Sequence, residues 1–226
     1  MREKTIYALG ILGTILLLWN FYQIFLVIPI DALQGDIFRI IFIHVPAAFT
    51  AYSFYTVAVV ASIAFLITKN FAWDSLAVSA VEVGTMFTLV NLATGSIWGR
   101  VAWGIWWAWD ARMTSQLMCF LLYLGYLLMR PSIAEPQQRG IMSAILAIFA
   151  AADIPIVFMA IRLHNVRTQH PGPVLETGKL APVYWPPILI SFAAFLLLGS
   201  AMILVRLHQE TSRREIDSLR RELHAI

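Results

Sequence analysis

Six stretches of this chain are apolar for long enough to cross a lipid bilayer, which requires about 20 such residues in a helix. They run approximately over Ile6–Ile28, Ile41–Ile67, Leu76–Ile97, Met113–Met129, Gly140–Ile161 and Trp185–Val205. The segments between them carry breaking residues. Pro29 and Asp31 follow the first stretch, Lys69 and Asn70 the second, and Arg130, Pro131 and Pro136 the fourth. Pro171, Gly172, Pro173, Gly178 and Pro182 mark Arg162–Tyr184 as a loop. A backbone in hydrocarbon must satisfy its own polar groups, so these stretches predict an all-α integral membrane bundle of six helices. The composition agrees: 60% of the 226 residues are hydrophobic and only 13% charged, against about 25% charged in soluble domains. That balance excludes a cytosolic enzyme, a disordered regulator and a disulfide scaffold. The single cysteine, Cys119, rules out an internal disulfide and a CxxC motif.

Six spans place both termini on one side. Ten of the 16 Lys and Arg residues then share that side, and Arg39, Arg100, Arg112, Arg162, Arg167 and Lys179 lie opposite. The positive-inside rule makes the termini cytoplasmic. The net charge of +3 is thus a matter of orientation and calls for no nucleic acid. Residues 1–206 form the membrane domain. Residues 207–226 read as a polar helical tail, with Ile216, Leu219, Leu223 and Ile226 at three- and four-residue spacing.

The chemistry gathers on the outer side. Five of the eight tryptophans, Trp98, Trp103, Trp106, Trp107 and Trp109, fall in the connection over residues 98–112. Interfacial tryptophan is common, but a belt spreads over many helix ends, whereas this one is confined to a single connection. Asp110 is placed to cap the fourth helix at Arg112 or Met113, and it also counts with the tryptophans among the candidate ligand-binding residues. Pro46 suits the first turn of the second helix, which puts His44 at its outer mouth. The last outer loop adds His164 and His170. His208 and His224 are on the opposite side. Flat indoles suit a large flat ligand, histidine is a usual axial donor to haem iron, and Arg39, Arg100 and Arg112 offer forks for carboxylates such as propionates. Glu82 and Asp153 are costly in hydrocarbon and are expected to face the bundle interior or a partner in structural roles, Asp153 by satisfying backbone donors beside Pro155. Cys119 reads as buried and inert.

The run from Trp98 to Arg112 resembles the tryptophan-rich WWD signature of haem-handling proteins. The likeness extends to Arg39–Pro46, to Thr94-Gly95-Ser96 and to Asp153–Val157. With six spans and no large extra domain, the chain is similar to the CcmC family, the haem exporters of system I cytochrome c maturation. That resemblance implies haem b as a transient cargo, held on the periplasmic face of the bacterial inner membrane by His44 and a histidine of the last outer loop. Val166-Arg167-Thr168-Gln169-His170-Pro171 matches the end of the family's second-histidine stretch, with Leu163, His164, Asn165 and Val166 where aromatic residues are expected. His170 is therefore the second ligand, with His164 as its competitor. The resemblance also implies transfer of haem to the chaperone CcmE, beside CcmA, CcmB and CcmD, without enzyme activity in this chain. No GxxxxGK[ST] phosphate loop is present. A cytochrome c haem lyase and a haem permease are the alternative readings.

Overall fold

The computed structural model describes residues 2–160, 162 and 180–224, the side chains of residues 221, 222 and 224 excepted. Regular structure among them is helical, apart from an isolated bridge between Asp31 and Gly35. The elements are α1 (Arg2–Tyr22), α2 (Ile41–Thr68), α3 (Phe71–Trp103), α4 (Ala111–Met129), α5 (Pro136–Ala151), α6 (Asp153–Met159) and α7 (Trp185–His224). Five helical segments are long and apolar enough to cross a membrane: Arg2–Val27, Asp36–Thr68, Phe71–Trp103, Pro136–Met159 and Pro182–Arg220. The chain is an all-α membrane protein. Helix α4 falls outside that set because its first two turns carry Arg112, Thr114, Ser115 and Gln116.

The α2–α3 hairpin is the centre of the bundle. Lys69 takes a left-handed conformation to end α2, its N–H reaching Phe65 O at 2.8 Å. Asn70 then caps α3 by accepting from Ala72 N. Ala47, Ala51, Ala58 and Ala61 of α2 are almost fully buried, so small side chains let the two helices approach closely. Tyr55 stacks on Tyr123 of α4 at 3.6 Å between ring centres. Cys119 is fully buried in this core, as the sequence suggests. Helix α1 lies along α7, where Asn20 donates to Pro187 O at 2.8 Å and to Ser191 Oγ at 2.7 Å.

Four element boundaries differ from the sequence reading. A 3₁₀ turn over Asp36–Ile40 leads directly into α2, so Pro46 sits inside that helix rather than in its first turn. Helix α3 continues six residues past Ile97 to Trp103, because nothing before Gly104 forces it to stop. The fifth apolar stretch is broken at Ala152 into α5 and α6. Helix α7 runs unbroken from Trp185 through residues 206 and 207 to His224, with no change of backbone where the polarity changes.

At one end of the bundle the buried Asp74, at the start of α3, receives both Arg130 Nη1 and Nη2 at 2.8 Å and also pairs with Arg214 of α7. Arg214 Nε donates to Ser75 Oγ at 2.8 Å, and its Nη2 lies 3.1 Å from Glu210 Oε1. Burial alone pulls the Arg130 guanidinium down, but the hydrogen-bonded Asp74 carboxylate outweighs it and holds it above its ordinary value. The start of α3, the end of α4 and the extension of α7 are clamped together there. Within the apolar region, Glu82 of α3 meets Arg206 of α7 through Nε and Nη2, a pairing of two helices. Asp153 is buried, but it caps no helix and its Oδ2 has no partner among the described residues. The expectation that it satisfies backbone donors beside Pro155 is therefore not met.

Candidate functional site

His44 lies in the first turn of α2, at the end of the bundle opposite the Asp74 clamp. It faces one stripe of α3 made by Asn91, Thr94, Gly95 and Trp98, residues at i, i+3, i+4 and i+7. A Cβ on Gly95 would stand 2.9 Å from His44 Cε1, so only glycine lets the imidazole lie this close to α3. Asn91 Nδ2 donates to His44 O at 3.0 Å and lies 3.3 and 3.4 Å from the ring nitrogens. Trp98 packs edge-on to the imidazole with ring centres 5.8 Å apart.

His44 Nδ1 lies 3.1 Å from Thr94 Oγ1. The Thr94 hydroxyl donates to Val90 O at 2.7 Å, which leaves its oxygen to accept. Thr94 Oγ1 and Asn91 Nδ2 thus hold the imidazole from the α3 side, both within hydrogen-bonding distance of Nδ1. An imidazole oriented by hydrogen-bonding neighbours is the kind of side chain that metal sites use.

Trp98 is the best-fixed tryptophan of the connection. It is buried, its Nε1 donates to Gln34 Oε1 at 2.7 Å, and its ring meets Phe38 edge-on at 6.2 Å. Phe38 in turn packs on Tyr184, just before α7, at 5.0 Å. With Ile24, Ile41, Phe42, Leu180 and Ile188, these rings form a second apolar cluster that supports this end of the bundle. Gln34 is delivered by a turn in which Asp31 Oδ1 accepts from Leu33 N and Gln34 N.

The tryptophan connection is thus part helix and part loop. Trp98 and Trp103 stand on α3. Gly104 adopts φ +79°, a left-handed conformation that ends the helix with its N–H on Arg100 O at 3.1 Å. Trp106, Trp107 and Trp109 follow in an irregular segment that closes on Asp110. Trp106 and Trp109 are 59% and 77% exposed, so their rings are available as a surface. Trp107 meets Trp109 edge-on at 5.8 Å, and its Nε1 is buried without a partner among the described residues. Asp110 Oδ1 accepts from Met113 N at 2.8 Å, the N-cap its position in the sequence indicates.

The cations are held individually. Arg39 pairs with Asp36 and lies over the Phe25 ring at 5.9 Å. Arg100 reaches back to Gly104 O. Arg112 is turned into the bundle, where Nη1 donates to Val157 O of α6 at 3.1 Å. His164 and His170 lie outside the described residues. Asn91 and Gln34, which hold His44 and Trp98, are not singled out by the sequence reading. The helical spacing of Asn91 with Trp98 was the available signal for the first.

The model of the haem exporter protein C family matches residues 1–222. The chain belongs to the haem exporter protein C family. It is 34% identical to the haem exporter protein C of Paracoccus denitrificans over 206 residues, covering 90% of this chain and 83% of the relative. The counterpart in Bradyrhizobium diazoefficiens is 35% identical over 207 residues, covering 91% and 78%. That of Escherichia coli K12 is 34% identical over 180 residues, covering 79% and 72%. Membership places the chain among the multi-pass proteins of cytochrome c biogenesis and haem transport.

Proposed function

We propose that this chain binds haem at the end of the bundle that carries His44 and delivers it to the chaperone CcmE, within a complex with CcmA, CcmB and CcmD. His44 Nε2 supplies one axial bond to the iron. The exposed Trp106 and Trp109, with Trp103 and Trp107, give the porphyrin a flat apolar surface. The buried Nε1 of Trp107 is an unused donor, and a propionate is an acceptor of the kind it needs. Arg39 and Arg100 stand at the same end as further carboxylate partners. Arg112 and Trp98 act from behind, by fixing α6 and His44. The second axial ligand comes from the segment before Leu180, as His170 or, in its place, His164.

The observation that carries this reading is the α3 cradle that fixes the His44 imidazole at the end of the bundle, with Trp98 against it. Its place at helix ends, rather than at mid-bilayer, supports hand-over at a face and speaks against passage through the bundle.

The six-span topology belongs to the same proposal. Arg2 Nη2 meets His208 Nδ1 at 2.6 Å, so the beginning of α1 and the tail of α7 share one end. Helix α4 starts at Asp110 beside the tryptophans and ends at Arg130 in the Asp74 clamp, so it traverses the bundle with the other spans. Its 19 residues measure about 28 Å, close to the thickness of the hydrocarbon core. An even count puts both termini on one side, and the excess of Lys and Arg on that side makes it the cytoplasm, with His44 and the tryptophans in the periplasm.

The test is a haem titration of purified protein in nanodiscs, read at the Soret band. Wild type is expected to give a six-coordinate spectrum that His44→Ala loses and that one of His170→Ala and His164→Ala changes. An unaltered spectrum in His44→Ala would overturn the ligand assignment.

A further inference from the structure

The extension of α7 carries an apolar seam that no described part of this chain covers. Ile216, Leu219 and Leu223 are 49%, 54% and 73% exposed and lie on one face. The opposite face, through Glu210 and Arg214, is the one held in the Asp74 clamp. Counting in heptads with Ile216 and Leu223 at a, Leu219 takes d, Ser212 and Gln209 continue the seam, and Met202 and Val205 carry it into the apolar region. Those last two, each 39% exposed, help to wall an open groove of about 740 Å³ between α1 and α7.

The seam cannot be laid on a lipid surface. Helix α7 is continuous from Trp185 to His224 and is pinned by Arg214, so the ten residues after Arg214 continue for about 15 Å along the direction of the span. The occupant is therefore another helix. The charges flanking the seam say which one. Glu215 falls at g and Arg220 at e of the next heptad, five residues on, the spacing at which g of one strand meets e of the other in a parallel pair. Ile at a with Leu at d favours two strands. A two-fold axis would form the Glu215–Arg220 contact twice.

We propose that the α7 extension is a self-association surface, pairing in parallel with the α7 extension of a second copy. The seam is short and would be weak in solution. The membrane already holds two copies parallel and confines them, which raises the effective concentration.

The test uses the full chain in native membranes, in a Cys119→Ala background. Under mild oxidation Leu219→Cys is expected to give a disulfide-linked dimer, whereas Ser218→Cys, on the other side of the helix, gives at least several-fold less. Glu215→Arg or Arg220→Glu alone is expected to reduce the Leu219→Cys dimer several-fold, and the two together to restore it. Equal cross-linking at 218 and 219, no dimer at either, a product with the mass of a different protein, or failure of the charge swap to restore would each overturn self-pairing.

Discussion

Replacing Thr94 with Val tests whether the surroundings of His44 prepare it as a ligand or merely pack it. Valine keeps the branched shape and deletes only the oxygen that meets Nδ1 at 3.1 Å. The loss of one neutral hydrogen bond is worth about 0.5–1.5 kcal/mol. The ring also loses the contact that fixes its rotation, and removing such outer partners weakens metal sites by about 10- to 100-fold. At about 1.4 kcal/mol per tenfold, the two figures meet near a tenfold rise in the haem dissociation constant. The assay is the Soret titration in nanodiscs, with His44→Ala as the reference for complete loss of the bond. Thermal unfolding should change little, because Thr94 bonds otherwise only to carbonyls of its own helix, Val90 O and Asn91 O. Haem affinity within about twofold of wild type, with His44→Ala still impaired, would refute the idea that Thr94 orients the imidazole for the iron.

Three other perturbations separate the parts of the structure. Gly95→Ala puts a methyl 2.9 Å from His44 Cε1, so we expect weaker haem binding with insertion intact, measured by the same titration; unchanged affinity would mean that the imidazole has room to spare. Asp110→Ala removes the cap on Met113 N and should cost about 1 kcal/mol in thermal or denaturant unfolding, with Asp110→Asn nearer wild type. Asp74→Asn leaves Glu210 as the remaining carboxylate beside Arg130 and Arg214 and should destabilise the protein by at most about 3–5 kcal/mol while leaving haem affinity at the other end unaltered; a parallel fall in affinity would couple two ends that the structure keeps apart.

The residues that can be read from a sequence are those whose physics is local. The apolar runs, the Lys69–Asn70 turn, the Asp110 cap and the burial of Cys119 all follow from neighbours a few positions away. The length of α3 did not, because Gly99 reads as a loop residue although a helix tolerates glycine, and only the left-handed Gly104 stops it. The tail reads as helical, but its continuity with the last span does not show, for a related reason: hydropathy reports the solvent around a helix and not the course of its backbone. The Asp74 clamp joins residues 56 and 140 positions apart, and no periodicity announces such a pair. The His44 cradle lay between these cases. Its Thr94-Gly95 was within the family likeness, but the hydroxyl's role required the distance to Nδ1.

Since α3 carries both the cradle and the first edge of the tryptophan surface, their relative setting is a matter of helical phase. From Thr94 to Trp103 there are nine residue steps, about 13.5 Å of rise and two and a half turns. Inserting one residue in that interval would swing Trp103 by about 100° about the axis relative to Thr94, a change that no side-chain adjustment absorbs. Lengthening the segment between Gly104 and Asp110 would leave both where they are. Change in the ring surface is therefore open to the chain after Gly104 and closed to it before, which confines variation in cargo contact to the half of the site that α3 does not own.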